Sequence, residues 1–448
     1  MIKTLGCALA LAVTAAGASW SQTLEDSLAL TYTSNPTLQA ERARVRAVAE
    51  GVAQARAGYL PSVSASAGIS RSRTESSGGF FNQANTVTPK NYSINASQAI
   101  WRGGRITGAI DQAEANFLAA EENLRAVEQS VLLDAATAFL NVQRDTEIAE
   151  IRRNNVEVLG AQLQAAEDRF EVGEITRTDV AQAEARQSAA RAQFAAALAQ
   201  LASSRAAYTR IVGQAPGTLA EAPPLPTLPD SLQEAVDIAA DYSPVLRGAA
   251  FSEEAARAGI QVARGALLPD VSLSGSAGTR RDSSFSGDQS DSYSIGAQVS
   301  IPIFTGGLNR SRLRAANHIA DQARLQVSAA RRQVEENTTN AFNNHIAAQS
   351  VIESSSQAVR ANEIALDGVQ QEAFVGLRTT LDVLNAEQEL LDSRLTLVTA
   401  ERDAYVAGLV LLQSMGLLTA ETLALDVEIY DADLRQPEWG NIDLTPWN

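Results

Sequence analysis

Two short motifs place a threonine three residues before an aspartate at the start of a helical pattern. They are Thr176-Arg177-Thr178-Asp179 and Thr379-Thr380-Leu381-Asp382. In such a motif the threonine oxygen and the carboxylate satisfy free backbone N–H groups of the first helical turn. Two carboxylates could also transfer protons to a substrate, but the surrounding sequence predicts no pocket. We therefore expect both motifs to cap helices.

The other residues that could do chemistry are few. His318 and His345 lie in a long helical pattern, and the sequence has no Gly-x-Ser-x-Gly motif. Gly103-Gly104-Arg105 is not followed by the Gly-Lys-Ser/Thr of a phosphate-binding loop. The only cysteine is Cys7, near the N-terminus. We expect no enzyme, no metal site and no cofactor.

Composition narrows the class of protein further. The 448 residues have a formal net charge of −16, which argues against nucleic acid as a partner because phosphates need clustered Lys and Arg. The chain is 45% hydrophobic but only 5% aromatic, and it is rich in alanine. This composition is typical of long helices that pack closely side by side.

The N-terminal segment has the pattern of a secretory signal peptide. Lys3 is followed by an apolar stretch over 5–16 and by the small residues Ala16-Gly17-Ala18. We expect a signal peptide over about 1–21 and an exported mature chain. Because no later run of about 18 apolar residues occurs, any entry into a membrane must use strands.

The mature sequence is an internal duplication. The segment from Leu60 to Ser64 returns as the segment from Leu268 to Ser272, 208 residues later. Val172-Gly173 returns as Val375-Gly376, 203 residues later. The predicted organisation is a first repeat over 22–222, a Pro-rich linker over 223–229, a second repeat over 230–418 and a C-terminal tail over 419–448.

Each repeat has the same order of elements. Alternating apolar and polar residues predict strands over about 62–74 and 90–101, and over about 270–280 and 292–303. Strands of about 10 residues can cross a bilayer at a tilt, although an ordinary sandwich hairpin with one solvated face has the same alternation. A first helix is predicted over 36–58 and 244–265, and longer ones over 106–172, 178–212, 308–375 and 381–415.

The long helices contain a repeated coiled-coil seam, with apolar residues spaced alternately by three and four positions. The seam residues are Ile110, Ala113, Phe117, Ala120, Leu124, Val127 and Val131, and in the second repeat Leu313, Ala316, Ala320, Ala323, Val327, Ala330 and Val334. Four strands cannot close a barrel, and open edges in lipid leave backbone groups unsatisfied. A barrel must therefore be shared, and two, three or four copies would give 8, 12 or 16 strands.

Two further motifs connect the sequence to a known family. Arg169-Phe170-Glu171-Val172-Gly173 leads to Thr178-Asp179-Val180, and Val375-Gly376-Leu377-Arg378-Thr379 leads to Asp382-Val383-Leu384-Asn385-Ala386. With the duplication, these motifs resemble the TolC-like outer-membrane channels over nearly the whole mature chain. The resemblance implies a mainly α protein with a transmembrane β part, in which three chains share a 12-stranded barrel that continues into a periplasmic α-helical coiled-coil tunnel.

The resemblance also implies a function and partners. TolC-like channels are exit ducts for an inner-membrane ABC or proton-driven pump, joined through a periplasmic adaptor, and they export proteins or small toxic compounds across the outer membrane. The tail, with Leu417-Leu418-Thr419-Ala420-Glu421, looks more like the type I protein-secretion branch. The alternative is a trimeric surface adhesin with a shared barrel and a coiled-coil stalk. Adhesin strands lie at the C-terminus, so the early strands of each half favour the duct.

Roles of single residues follow from the resemblance alone. Asp382 matches an acidic ring at the pore constriction, which we expect to prefer cations and, through repulsion within the ring, to titrate above an isolated aspartate. Asn385 stands where the family has a second acidic ring. Arg378 matches a tether that holds the tip closed on Thr178 and Asp179. The adaptor-docking turns are Val172, Gly173, Val375, Gly376 and Leu377; Glu174 departs from the leucine that the family has after the first Val-Gly.

Overall fold

A computed structural model describes residues 22–76, 83–285 and 287–431. The predicted signal peptide, part of the first strand connection and the last 17 residues of the predicted tail lie outside the described residues. The described chain forms two compact units, and each unit combines segments of both repeats. The first unit contains residues up to Leu38, Glu128–Ala235 and Thr338–Ile429; the second contains Gln39–Val127, Val236–Asn337 and the residues from Tyr430 onward.

Helices make up most of the described chain. They are α1 Leu24–Ser34, α2 Pro36–Arg56, α3 Arg105–Glu171, α4 Arg177–Val212, α5 Leu232–Tyr242, α6 Pro244–Gly265, α7 Leu308–Phe374 and α8 Thr380–Ser414. The helices α1 and α5 are not among those that the sequence patterns predict. Both are short helices that end directly before the proline-led helix that follows, as expected because a residue before proline avoids the helical conformation.

The strands form one large antiparallel sheet and one small one. The strands are β1 Ser62–Ile69, β2 Ser72–Ser76, β3 Gln83–Val87, β4 Lys90–Trp101, β5 Asp270–Arg281 and β6 Gln289–Ser300. The large sheet has the order β1-β4-β5-β6, so strands of the two repeats pair in its centre and β1 and β6 are its edges. β2 pairs with β3 alone.

The large sheet has one apolar and one polar face, as the alternation predicts. Ala65, Ile94, Ala277 and Tyr293 lie opposite one another across the four strands on the apolar face. The polar face consists almost entirely of Ser, Gly, Asn and Gln. Cross-strand serine pairs bond there, such as Ser66 with Ser93 and Ser276 with Ser294, both at 2.8 Å between Oγ atoms.

Three predicted strand limits are wrong: the strand predicted from 292 begins at Gln289, and proline accounts for the other two. The strand predicted over 62–74 ends at Ile69, which lies opposite Lys90. The next residue of the partner is Pro89, which has no N–H to continue the pairing, and the Ser70 N–H donates to its carbonyl instead at 3.0 Å. The strand predicted over 292–303 ends at Ser300, two residues before Pro302.

The coiled-coil seam is confirmed in both repeats. All seam residues named above are buried or half-buried. In α7 most positions between them are exposed, including the large apolar residues Ile319 and Leu325. The seam is therefore a narrow stripe, as a spacing of three and four predicts.

Each unit has its own core. In the first unit α1 packs on α4, where the Ser27 Oγ and the buried Tyr208 Oη are 2.8 Å apart. A buried Asp145 carboxylate on α3 binds Arg144 at 2.7 Å and accepts a hydrogen bond from Ser204 of α4. In the second unit Ala239, Leu246 and Val334 form a buried cluster. Within the first unit, the bonds of Tyr208 and Ser204 join α4, one of the helices that carry the candidate site, to α1 and α3.

Candidate functional site

The turn between α3 and α4 carries the first Val-Gly motif. Gly173 has φ +80°, a conformation that only glycine adopts readily. Its N–H donates to the Phe170 carbonyl at 3.0 Å, and the Glu174 N–H donates to the Arg169 carbonyl at 2.9 Å. These bonds satisfy the last carbonyl groups of α3 and end the helix.

The turn between α7 and α8 repeats this geometry. Gly376 also has φ +80°, and its N–H donates to Ala373 at 3.1 Å. The Leu377 N–H donates to the backbone carbonyl of Glu372 at 2.9 Å, just as the Glu174 N–H donates to the Arg169 carbonyl in the first turn. Replacing the expected leucine by Glu174 therefore leaves the backbone of the turn unchanged and alters only its surface.

Both turns expose apolar side chains. Val172 is 73% exposed, Val375 66% and Leu377 76%. Next to them, Phe374 is also highly exposed and Phe170 moderately so. Apolar side chains at such exposure are typical of a surface that contacts another protein. The predicted docking residues thus lie on two similar turns, one ending in a charged Glu174 and the other in Leu377.

The two Thr-x-x-Asp motifs cap α4 and α8, as the sequence predicts. The Thr379 N–H and hydroxyl donate to Asp382 Oδ2 at 2.9 Å and 2.8 Å. The Thr176 N–H and hydroxyl donate to Asp179 Oδ2 at the same distances. Each carboxylate is therefore held at the first turn of its helix, where the helix dipole also favours negative charge.

These bonds determine the direction of both pKa shifts. Hydrogen bonds from the Thr379 backbone and side chain, with a smaller effect of Arg378, lower the pKa of Asp382 below its ordinary value. The Thr176 backbone and side chain lower the pKa of Asp179 in the same way. Within one chain, the direction for Asp382 is thus opposite to the increase expected from repulsion in a ring.

Within the single chain, Arg378 forms an ion pair with Glu372. Its Nε donates to Glu372 Oε2 at 2.8 Å, and both side chains are about half exposed. In the described part of the chain, no hydrogen bond joins Arg378 to Thr178 or Asp179. The pair instead connects the end of α7 with the residues before α8, inside one turn.

Asn385 lies three residues after Asp382 on α8, and its side chain is exposed. Its Oδ1 accepts a hydrogen bond from Arg186 Nη2 of α4 at 3.0 Å. Arg186 is not part of any motif that the sequence shows. One signal was available, because Arg186 follows Asp179 by seven residues and so lies on the same face of α4.

A small apolar cluster fixes this polar contact. Leu384, next to Asn385, is 2% exposed and packs with Ala190 of α4 and Leu159 of α3. Ala190 lies one turn beyond Arg186, so the cluster and the hydrogen bond join α4 and α8 at neighbouring levels.

The described residues contain no group that matches a metal-binding pattern of proteins. None of their His, Cys, Asp and Glu side chains form a group of three or more that could hold a metal ion. His345 is buried in α7, where burial lowers its pKa, and His318 is exposed. Of the described helices, none combines the length and the apolar character that a membrane crossing requires.

The duplicated order of strands and paired helices, with turns of one geometry in both repeats, defines the class of TolC-like channel proteins. Residues 28–214 and 235–417 match the family of outer membrane efflux proteins, and the chain belongs to that family. It is therefore an outer-membrane efflux channel with a helical periplasmic part. The predicted family, fold class and location are confirmed.

Named relatives agree with this assignment. The chain is 36% identical over 415 residues to the outer membrane efflux protein BepC of Brucella suis, covering 92% of this chain and 89% of the relative. It is 27% identical over 421 residues to the outer membrane protein TolC of Vibrio cholerae, covering 91% and 94%. The crystal structure of the outer membrane protein VceC of Vibrio cholerae has the same fold, with a TM-score of 0.74, 23% identity and coverage of 88% and 96%.

Proposed function

We propose that three copies of this chain form a passive exit duct, which receives cargo from an inner-membrane pump through a periplasmic adaptor and releases it across the outer membrane. The observation that supports this most strongly is the two-faced sheet with free edges at β1 and β6. Three such sheets joined edge to edge close one barrel of 12 strands, which leaves no unpaired edge in lipid.

The two faces of the sheet support the assignment of lipid and lumen. The apolar face, with Ile94, Tyr293 and Ile295, contacts the outer-membrane lipid. The polar face lines the duct with short, mostly uncharged side chains, so that it presents neither a binding pocket nor a strong field to the cargo. Cargo selection therefore lies with the pump, and both proteins and small toxic compounds fit such a duct.

The helix turns supply the regulated end of the duct. Asp382 and Asn385 form the constriction, and Arg378 restrains the tip in its closed state, with Thr178 and Asp179 of the neighbouring hairpin as partners when the chains assemble. The exposed apolar turns dock the adaptor hairpins, Val172 and Gly173 at one site and Val375, Gly376 and Leu377 at the other. Support comes from the exposure of the three apolar side chains and from the matched turns.

The test is the molar mass of the purified mature protein in mild detergent, measured by light scattering with the detergent contribution subtracted. We expect a trimer that runs anomalously on gels without heating. A folded monomer would overturn the shared barrel. Protease treatment of intact cells separates the duct from the adhesin, because a periplasmic tunnel is protected and a surface stalk is cleaved.

A further inference from the structure

Arg186 carries a charge that its partner does not neutralise. The Asn385 side chain is an amide, so it accepts the hydrogen bond from Nη2 at 3.0 Å and leaves the guanidinium fully charged. In the described part of the chain, no carboxylate lies within ion-pair distance of Arg186. The side chain is half-buried between two helices, so it is held in place instead of moving freely in solvent.

The position of this charge is set by both helices. Asn385 lies one turn beyond Asp382 on the same face of α8, where neighbouring side chains are about 5–6 Å apart. On α4, Arg186 lies two turns beyond the capping Asp179. The Leu384, Ala190 and Leu159 cluster keeps the helices in this register. The guanidinium therefore lies at the level of Asn385, which is one helical turn further along α8 than Asp382.

We propose that Arg186 determines the charge specificity of the constriction, by placing a cation at the level of Asn385, one helical turn beyond Asp382, where the sequence alone indicates only a neutral side chain. This inference rests on the proposed duct, in which symmetry places three copies of each residue around one axis. The constriction then has an acidic level and a cationic level, and Asn385 acts as the positioning residue that aims the guanidinium.

The size of the effect follows from Coulomb's law. One unit charge about 6 Å away changes the local concentration of a monovalent ion roughly threefold in water, and the change for a trivalent ion is larger, roughly tenfold or more. Arg186 opposes the attraction of cations by Asp382. An aspartate at position 385 would form an ion pair with Arg186 and neutralise it, so the substitution Asn385→Asp changes the net charge at this level by one unit, as Arg186→Gln does.

The experiment is recording of purified channels in planar bilayers of uncharged lipid. The readouts are the reversal potential in a KCl gradient and the concentration of La³⁺ that blocks half the current from the periplasmic side. The variants are Arg186→Gln, Arg186→Lys, Asn385→Asp and the double variant Arg186→Gln/Asn385→Asp. Arg191→Gln, an exposed arginine of the same helix, is the matched control, and Asp382→Ala tests the pore itself.

We expect Arg186→Gln to increase cation preference about threefold and to lower the blocking concentration of La³⁺ roughly tenfold. Arg186→Lys and Arg191→Gln should behave like the unmodified channel. Asn385→Asp alone should tighten block about as much as Arg186→Gln, because each removes one positive charge at this level, and the double variant should block most tightly. Trimer mass by light scattering excludes misfolding as the cause of any change.

Three outcomes separate this inference from the proposed function. If Asp382→Ala weakens block while Arg186→Gln and Arg191→Gln both leave selectivity unchanged, the duct stands and the role of Arg186 is wrong. The role is equally wrong if Asn385→Asp tightens block as much as the double variant does. If Asp382→Ala also leaves block and cation preference unchanged, the constriction itself lies elsewhere and the proposed pore assignment fails.

Discussion

At the scale of single residues, two opposite effects act on the pKa of Asp382. Within the chain, Thr379 donates two hydrogen bonds to the carboxylate and lowers its pKa below the ordinary 3.8. Because the pKa of Asp382 is lower in the folded chain than in the unfolded chain, the charged carboxylate that caps α8 stabilises the fold at any pH above the ordinary pKa. This contribution is lost only as the pH falls through the lowered value. Repulsion among three copies acts in the opposite direction.

We predict that hydrogen bonding by Thr379 is the stronger effect, because it acts at contact distance. Block by La³⁺ should then persist from neutral pH down to about 4 and disappear below the ordinary pKa of aspartate. Single-channel recording over this pH range measures it, with Asp382→Ala as the channel that shows no titration. A midpoint clearly above the ordinary pKa would show that repulsion in the ring dominates.

Arg378 gives a second prediction at this scale, because its observed partner is Glu372 and its predicted partners are Thr178 and Asp179. If the bond to Glu372 orients the guanidinium toward the neighbouring hairpin, Arg378→Ser and Glu372→Gln should both raise single-channel conductance, and the first should raise it more. One exposed bond restrains the tip weakly, so only partial opening is expected.

The matched variant for this prediction is Asp179→Ala. An increase in conductance with Arg378→Ser and Asp179→Ala, but none with Glu372→Gln, would assign closure to the bond between hairpins alone. Unchanged conductance in all three variants, with trimer mass intact, would reduce Arg378 to a solvated charge and the aspartates to helix caps.

Local contacts are what the sequence predicts best at this scale. Both caps were predicted because each joins residues three positions apart in one turn. The bond between Arg186 and Asn385 joins residues 199 positions apart. It depends on how α4 and α8 pack, and the spacing of residues along one helix carries no information about that.

At the scale of elements, the two Val-Gly turns depend on backbone conformation alone. A Cβ at Gly173 or Gly376 would meet no atom within 4 Å, yet φ is +80° at both. We predict that Gly173→Ala and Gly376→Ala each destabilise their turn by about 1 kcal/mol. Limited proteolysis at the turns, with rates compared across variants, measures this as faster cleavage.

The matched control is Gly368→Ala. Gly368 lies inside α7 with equally open surroundings but ordinary helical φ, so alanine should strengthen the helix by about 0.5–1 kcal/mol and slow cleavage. If all three substitutions changed cleavage in the same direction, the left-handed conformation would not be what the turns require.

Periodicity explains which elements the sequence predicts. The seams of α3 and α7 repeat over many turns, so their buried faces were correctly identified. The alternation places strand limits less accurately, and two of the three wrong limits lie beside Pro89 and Pro302, which have no N–H for pairing. The short helices α1 and α5, of 11 residues each, were missed because neither is long enough for its spacing to distinguish it from a connecting segment.

At the scale of the whole molecule, the duplication predicts how chains meet. Ser64 lies opposite Asn95, and its counterpart Ser272 lies opposite Gln298. Gln298 is therefore the counterpart of Asn95, at the same offset of 203 that separates Gly103 from Gly306. In the centre of the sheet, Ala96 lies opposite Gly275. The counterpart of Ala96 in the second repeat is Val299 on the edge strand β6, and the counterpart of Gly275 in the first repeat is Ala67 on the edge strand β1.

We predict that Val299 of one chain lies opposite Ala67 of the next, as Ala96 lies opposite Gly275 within the chain. Directly opposed residues in antiparallel strands have Cα atoms about 4.5–5.5 Å apart, which suits a disulfide. The only native cysteine, Cys7, lies in the predicted signal peptide. The mature double variant Ala67→Cys/Val299→Cys should therefore form covalent trimers on oxidation, seen on gels without reducing agent.

Ala67→Cys combined with Ala297→Cys or with Ile301→Cys provides the matched comparison. Each of these second positions shifts the pair by two residues along β6, about 7 Å, while keeping it on the same face, so both should cross-link much more slowly. A bond within one chain does not compete, because β1 and β6 are opposite edges of the four-stranded sheet, separated by about 14 Å. If the pair with Ala297→Cys cross-links fastest, the interface follows the offset of 201 that separates Tyr92 from Tyr293. If all three pairs leave only monomers, the edge-to-edge barrel is refuted.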